Sequence, residues 1–328
     1  MTRFGYTLMT EQSSPLDLVR YAVKAEDLGY DFEVSSDHYF PWLASMGHAS
    51  FAWTLLGAVA QATNRVELMT YVTCPTIRYH PAVIAQSSAT LQILSEGRFT
   101  LGLGAGENLN EHVVGEGWPA VGQRQDMLEE AVHIIRALHT GETVTWQGDY
   151  FRVDQAKVWD IPAQGVPIGI AVSGSVGVKR FAPLGDHLIT TDPIADLVTG
   201  WDEHHGGGAG VPESRKIGQI PISWDPDEET AIARAHDQFR WFAGGWHVNA
   251  DLPTPASFEG ASQFVRPTDV AESIMCGPDL DKLAESVVPF IDAGFTDIAL
   301  VQVGDEGQDR FLDEAAGPLL EKLRALGA

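Results

Sequence analysis

Cysteine is scarce in this chain: Cys74 and Cys276 are the only two among 328 residues, each alone in an apolar stretch. Neither a disulfide framework nor a CxxC zinc site is built from such a pair. Basic residues are scarce too, with 21 Lys and Arg against 45 Asp and Glu, a formal net charge of −24. Such a balance repels phosphate backbones and anionic lipid, which argues against nucleic acid or a membrane surface as partner. No apolar run is long enough to span a bilayer. The opening residues, MTRFGYTLMTEQ, lack the basic-then-apolar layout of a signal peptide. These absences predict a soluble, cytoplasmic protein. The adjacent His204 and His205 have no third ligand spaced to join them, so they predict a solvated loop and no metal site. Gly206 to Gly210, GGGAG, reads as a short flexible loop and not a domain linker.

What the chain does have is apolar residues, 44% of the total, in a strict alternation of strand and helix. RFGYTLM reads as a strand. SSPLDLVRYAVKAEDLG then carries helix punctuation: Ser14 as N-cap, Pro15 in the first turn, Asp17 completing a capping box and Gly29 as the stop. Leu18, Val19, Ala22 and Ala25 give that helix one apolar face. Strand YDFEVSS, helix SFAWTLLGAVAQAT, strand RVELMTYV, a helix from Pro81 to Gly97 and strand RFTLGLGAG follow. After helix RQDMLEEAVHIIRALHTG, ETVTWQGDYFRV alternates like an inserted surface hairpin. The pattern resumes with VPIGIAVSG, DHLITT, KIGQIPISW and FTDIALVQVG, each followed by a helix. Eight strand–helix units predict a single closed (β/α)8 TIM barrel over residues 1–328, with loops inserted at its C-terminal face. Residues 243–265 have little periodicity, and a stretch that long without clear structure is either misread or a functional loop.

In such a barrel the chemistry sits at the C-terminal ends of the strands. The segments MTEQ, SSDHYFPW, TYVTCPTIRY, GAGENLN and AVSGSVG therefore surround one mouth. Their ionisable members that converge are Glu11, Asp37, His38 and Glu107, with Tyr39 and Trp42 beside them. An imidazole titrates near neutrality and suits a general base. A carboxyl walled in by Gly102, Gly104 and Gly106 is a candidate acid. Each residue also has a plainer reading: His38 as a satisfied structural histidine, Glu107 as a helix-capping carboxylate, Trp42 as core. The spacing of GLGAGE is GxGxG, which is no dinucleotide fingerprint.

SDHYFPW, CPTIRYHPAVIAQ, GLGAGENLNE and the later AVSG together resemble the luciferase-like monooxygenase superfamily. More narrowly they resemble its oxidoreductase branch that uses the deazaflavin coenzyme F420, typified by the F420-dependent glucose-6-phosphate dehydrogenases. The resemblance implies a bacterial-luciferase-like barrel, a homodimer joined through its early helices, and hydride transfer between an alcohol and the deazaflavin C5. It implies His38 as the base, Glu107 as the acid for the reduced ring, and Trp42 as an aromatic at the reacting centre. It assigns the coenzyme to Asp37, Tyr71, Val72, Gly106, Glu107, Asn110, Ser173, Gly174 and Ser175, with a cis peptide at Tyr71–Val72. Ser173 to Ser175 would meet the coenzyme phosphate. Substrate falls to Glu11, Trp42, Thr191 and Trp246.

The resemblance breaks at the sugar-phosphate site. The threonine survives as Thr191, but one lysine position reads Pro193 and the arginine position reads Ser273. Residues 241–265 contain no Lys or Arg, and supply Trp241, Phe242 and Trp246 instead. A buried phosphate without cations is poorly held, so a less charged alcohol or carbonyl compound is expected, with Arg266 the one nearby cation able to rescue a phosphate. Reduction of a carbonyl or activated double bond, glucose-6-phosphate oxidation itself, an FMN-dependent monooxygenase and a coenzyme-sequestering protein stay open at this level.

Overall fold

Ser14 and Gly29 delimit the first helix as the sequence predicts. In the computed structural model, which describes residues 1–206 and 213–327, α1 spans Pro15–Leu28. The Ser14 hydroxyl accepts the Asp17 N–H and donates to the Asp17 carboxylate at 2.6 Å. Gly29 closes the helix at φ 100°, a left-handed conformation that a side chain disfavours. The Ser14 N-cap is worth about 1 kcal/mol. Leu18, Tyr21, Ala22 and Ala25 turn inward and bury against the barrel.

The barrel strands are β1 (Arg3–Leu8), β2 (Phe32–Ser35), β3 (Glu67–Thr70), β4 (Phe99–Leu103), β5 (Ile168–Ala171), β6 (His187–Ile189), β7 (Lys216–Ser223) and β8 (Asp297–Gln302). Each pairs in parallel with the next, and β8 pairs back with β1 through Arg3 opposite Asp297. The ring is closed, as a (β/α)8 TIM barrel requires. Alternation along the strands divides the core in two. Phe32, Val34, Met69, Ile189, Ile217 and Ala299 fill the barrel interior. Phe4, Tyr6, Leu68, Leu101 and Ile168 face outward into the layer beneath the helices.

α2 (Ala52–Ala62), α3 (Pro81–Leu94), α4 (Asn108–Glu111) and α5 (Val121–Leu138) follow the first strands. α3 ends at Leu94, shortly before the stop expected at Gly97, where Glu96 and Gly97 both turn to positive φ. The predicted hairpin forms from Val144–Gln147 and Arg152–Ala156, antiparallel. α6 (Ser175–Phe181), α7 (Ala195–His204) and α8 (Glu228–Phe239) complete the next units. His204 and His205 each turn one ring nitrogen to a backbone carbonyl, of Gly200 and Ala182. Beyond Gly206 the GGGAG segment lies outside the described residues.

Of the two readings of 243–265, the structure supports the first: the stretch has helical structure that its pattern does not show. After β7 the chain makes a helical excursion over the C-terminal mouth: α9 (Trp246–Asn249), α10 (Pro255–Ser262) and α11 (Pro267–Ser273). Thr254 caps α10 by accepting the Ser257 N–H, with Pro255 in the first turn. These helices are one or two turns long, too short for a periodic pattern to emerge. Phe258, Val270 and Ile274 anchor them on Met9, Trp42, Leu43 and Val303. Among the described residues no helix is long and apolar enough to cross a membrane.

Candidate active site

The end of β2 delivers Ser36, Asp37 and His38 to the mouth, and the end of β1 delivers Thr10 and Glu11. Glu11 is fully buried. Its Oε2 accepts the hydroxyls of Ser36 and Thr10. Its Oε1 has no hydrogen-bond partner, yet lies 3.2 Å from His38 Nδ1. His38 Nδ1 also lies 3.1 Å from the Phe40 carbonyl oxygen. Both neighbours of Nδ1 accept hydrogen bonds and neither donates, so Nδ1 carries a hydrogen. The lone pair of the neutral ring then sits on Nε2. Nε2 points to the other side, 3.5 Å from Glu107 Oε2.

Glu107 stands at the N-terminus of α4, immediately after the glycine-rich end of β4. Gly106 has φ 81°, and a Cβ there would lie 2.5 Å from Cys74 Sγ. The glycine is what lets the chain pass the β3 end and turn the next carboxyl to the mouth. Burial pushes Glu107 up to about 7; His38 and Arg78 oppose the shift, while Glu11 and Glu111 reinforce it. A carboxyl in that range holds a proton and releases it near neutral pH. Asn110 Nδ2 donates to Glu107 Oε2 at 3.2 Å. Its Oδ1 accepts the N–H groups of Tyr39 and Phe40, so one amide fixes Glu107 relative to the His38 loop.

Trp42 closes one side. Its ring lies 4.8 Å from that of His38 and stacks on Trp241 at 4.0 Å and 9°. Phe258 meets it edge-on at 5.0 Å. On the floor, Tyr71, Val72 and Ala171 are half-buried over the barrel interior, and the Tyr71–Val72 peptide is cis. This floor is an apolar platform for a flat ring, and the ionisable groups stand beside it. Ser173 and Ser175 are exposed, and nothing stands within 4 Å of the space a Gly174 side chain would take.

The remaining predicted residues are exposed or work indirectly. Asp37 is buried, with its carboxylate bound to Thr73 Oγ1 at 2.7 Å, Tyr79 Oη at 3.0 Å and Arg78 Nη2 at 3.1 Å. Thr191 is exposed, and Trp246 is 46% exposed at the start of α9. Arg266, expected as a cation able to rescue a phosphate site, is exposed and bound to Asp269 at 2.5 Å. Sequence reasoning missed Arg78 and Glu111, which pack behind Asp37 and Glu107. A lone arginine inside CPTIRYHP was the available signal.

Residues 1–297 match the luciferase-like monooxygenase family. The chain is 36% identical over 343 residues to an F420-dependent glucose-6-phosphate dehydrogenase of Amycolatopsis mediterranei, covering 100% of both chains. A protein of the same name from Nakamurella multipartita is 36% identical over 333 residues, with 99% and 97% covered. Among solved structures, an F420-dependent secondary alcohol dehydrogenase in complex with an F420–acetone adduct superposes with a TM-score of 0.88. It is 30% identical, with 98% of this chain and 99% of that one covered. The F420-dependent tetrahydromethanopterin reductase of Methanopyrus kandleri shares the fold, at a TM-score of 0.75 and 19% identity over 96% and 97% of the chains.

Proposed function

The chain belongs to the luciferase-like monooxygenase family, and from that premise we propose that it is an F420-dependent oxidoreductase of an uncharged alcohol or its carbonyl product. One observation carries the substrate class: the wall beside His38 is aromatic, and among the described residues no Lys or Arg stacks on it. Trp42, Trp241 and Phe258 form it. The arginines of α8, of the turn after it and of the excursion have other partners: Arg234 binds Asp225, Arg240 the Asp237 carbonyl and Arg266 Asp269. A phosphate dianion there would lose its hydration without gaining an ion pair. The names of relatives point both ways, to a sugar phosphate and to a secondary alcohol; the aromatic wall favours the second.

The residues fit the coenzyme. Tyr71, Val72 and Ala171 offer the ring its apolar floor, and Gly106, Glu107 and Asn110 offer its edge. Asp37 holds the floor's rim, and Ser173, Gly174 and Ser175 hold the phosphate with amides and hydroxyls. When bound, the deazaflavin supplies the hydride acceptor. His38 Nε2 takes the hydroxyl proton of the alcohol, and Glu11 steadies the imidazolium that results through Nδ1. Glu107, pushed up to about 7, releases its proton into the same space. Trp42 excludes water and lends its face to positive charge on His38. Thr191, Trp246 and Glu11 border the substrate. Exposed Phe51, Val83 and Leu94 on or beside α2 and α3 support a homodimer through those helices.

The test is to add candidate substrates to protein loaded with oxidised F420 and follow bleaching of the coenzyme. Small secondary alcohols bleach it and glucose 6-phosphate does not. Bleaching by glucose 6-phosphate alone overturns the substrate assignment.

A further inference from the structure

Behind the reacting groups lies a second set of charges that the mechanism above does not use. Arg78, in the loop between β3 and α3, has a side chain only 7% exposed. Its Nη2 donates to the Asp37 carbonyl at 2.6 Å and to the Asp37 carboxylate at 3.1 Å. Its backbone N–H donates to Glu111 Oε2 at 2.7 Å. Its Nε lies 3.6 Å from Glu111 Oε1 and has no hydrogen-bond partner. Asp37 directly precedes His38, and Glu111 sits one turn after Glu107 on α4. With its guanidinium on Asp37 and its backbone N–H on Glu111, Arg78 thus joins the loop that carries the base to the short helix that carries the acid. Asn110 makes the same connection from the other face, between Glu107 and the Tyr39 and Phe40 amides.

We propose that Arg78 is a positioning residue, which fixes the separation of His38 from Glu107 by clamping Asp37 and Glu111 together from behind. This inference rests on the acid and base roles just proposed. A lysine keeps the backbone N–H on Glu111, but its flexible ammonium does not reproduce the fixed direction in which the planar guanidinium holds the Asp37 carbonyl and carboxylate. α4 is a single turn and does not hold its own orientation. A displacement of about 1 Å at the acid costs on the order of 100-fold in rate.

The clamp also sets the charge around Glu107. Four charged or titratable groups face that carboxyl: His38 from the end of β2, Glu11 from the end of β1, Glu111 from its own helix and Arg78 from the β3 loop. Glu111 is itself pushed up to about 7 by burial, against the pull of Arg78. Replacing Glu111 by a neutral amide while Arg78 stays removes the negative charge that Glu111 gains over the same pH range and leaves a cation, so Glu107 gives up its proton at lower pH.

The experiment compares the wild type with Arg78→Lys and Glu111→Gln; the second still accepts the Arg78 N–H, so it keeps the fold if the first does not. Three quantities are read: F420 affinity by fluorescence, kcat for alcohol oxidation against pH, and the Glu107 carboxyl midpoint by carbon NMR in coenzyme-free protein. We expect Arg78→Lys to retain F420 binding and lose kcat by roughly 10–100-fold. Glu111→Gln moves both the Glu107 midpoint and the alkaline limb of kcat to lower pH. A merely structural role lowers kcat evenly across pH and leaves both midpoints where they were. Wild-type kcat in Arg78→Lys, or an unmoved Glu107 midpoint in Glu111→Gln, overturns the proposal. A wild type that neither binds F420 nor oxidises alcohols overturns the function instead, and the NMR midpoint still decides the clamp.

Discussion

The two ends of the barrel hold similar ionisable groups in opposite conditions. At the N-terminal end, Arg215 reaches Asp297 and Glu67, each at 2.7 Å, and Arg3 reaches the same two acids at 3.4 and 2.8 Å. Two cations meet two anions, and both guanidinium groups also cover the Phe32 ring. At the C-terminal end, Glu11 keeps one oxygen without a hydrogen bond, and Glu107 is held near 7. His38 lies between them with a carboxylate on each side. Strand sequence is much the same at both ends, alternating and apolar. What differs is whether the loops complete the pairing. The bottom is completed and stabilises the ring; the top is left incomplete, and proton transfer needs groups that are not locked into one protonation state.

That contrast predicts effects of different kind and size. The largest is on catalysis. Glu107→Gln or His38→Ala lowers turnover about 100- to 10,000-fold while F420 binding persists; steady-state kinetics with a fluorescence titration checks both halves. The next is on stability. Arg215→Met leaves Asp297 buried with one cation fewer and costs about 3 kcal/mol, read by urea denaturation, while turnover per folded molecule stays at the wild-type level. Loss of turnover without loss of stability would break the division between the two ends.

A third effect is pH dependence. Glu107 holds its proton in the folded state up to about 7, whereas the unfolded chain releases it near 4.5. The folded state therefore binds the extra proton between those values, and stability on this group's account falls as pH rises through that window. The loss totals about 3 kcal/mol. Glu107→Gln removes it, so its melting temperature rises relative to wild type from pH 4.5 to 7 and the gap stays constant above. The smallest effect is at the wall: Trp241→Leu removes the stack on Trp42 and raises KM for alcohols a few-fold, about 1 kcal/mol, with kcat little changed.

Most of the scaffold was legible because its signals are local. Ser14, Pro15 and Gly29 punctuate α1 within one helix length, and the apolar runs of β1 to β8 repeat the signal. His38 and Glu107 were legible because a barrel brings all strand ends to one mouth, so motif and topology agree. The excursion beyond α8 was not, since α10 and α11 gain their order from Phe258 and Val270 packing on residues far away in the chain. Arg78 and Glu111 were hidden for the same reason: their meaning lies in a pairing across 33 residues that no spacing rule announces.

The central claim is most directly tested by titrating the purified protein with oxidised F420 and, in parallel, with FMN, following fluorescence. The account predicts saturable binding of F420 and none of FMN, followed by bleaching when a secondary alcohol is added. Preference for FMN would contradict it, and with it the assignment of His38 and Glu107 as base and acid.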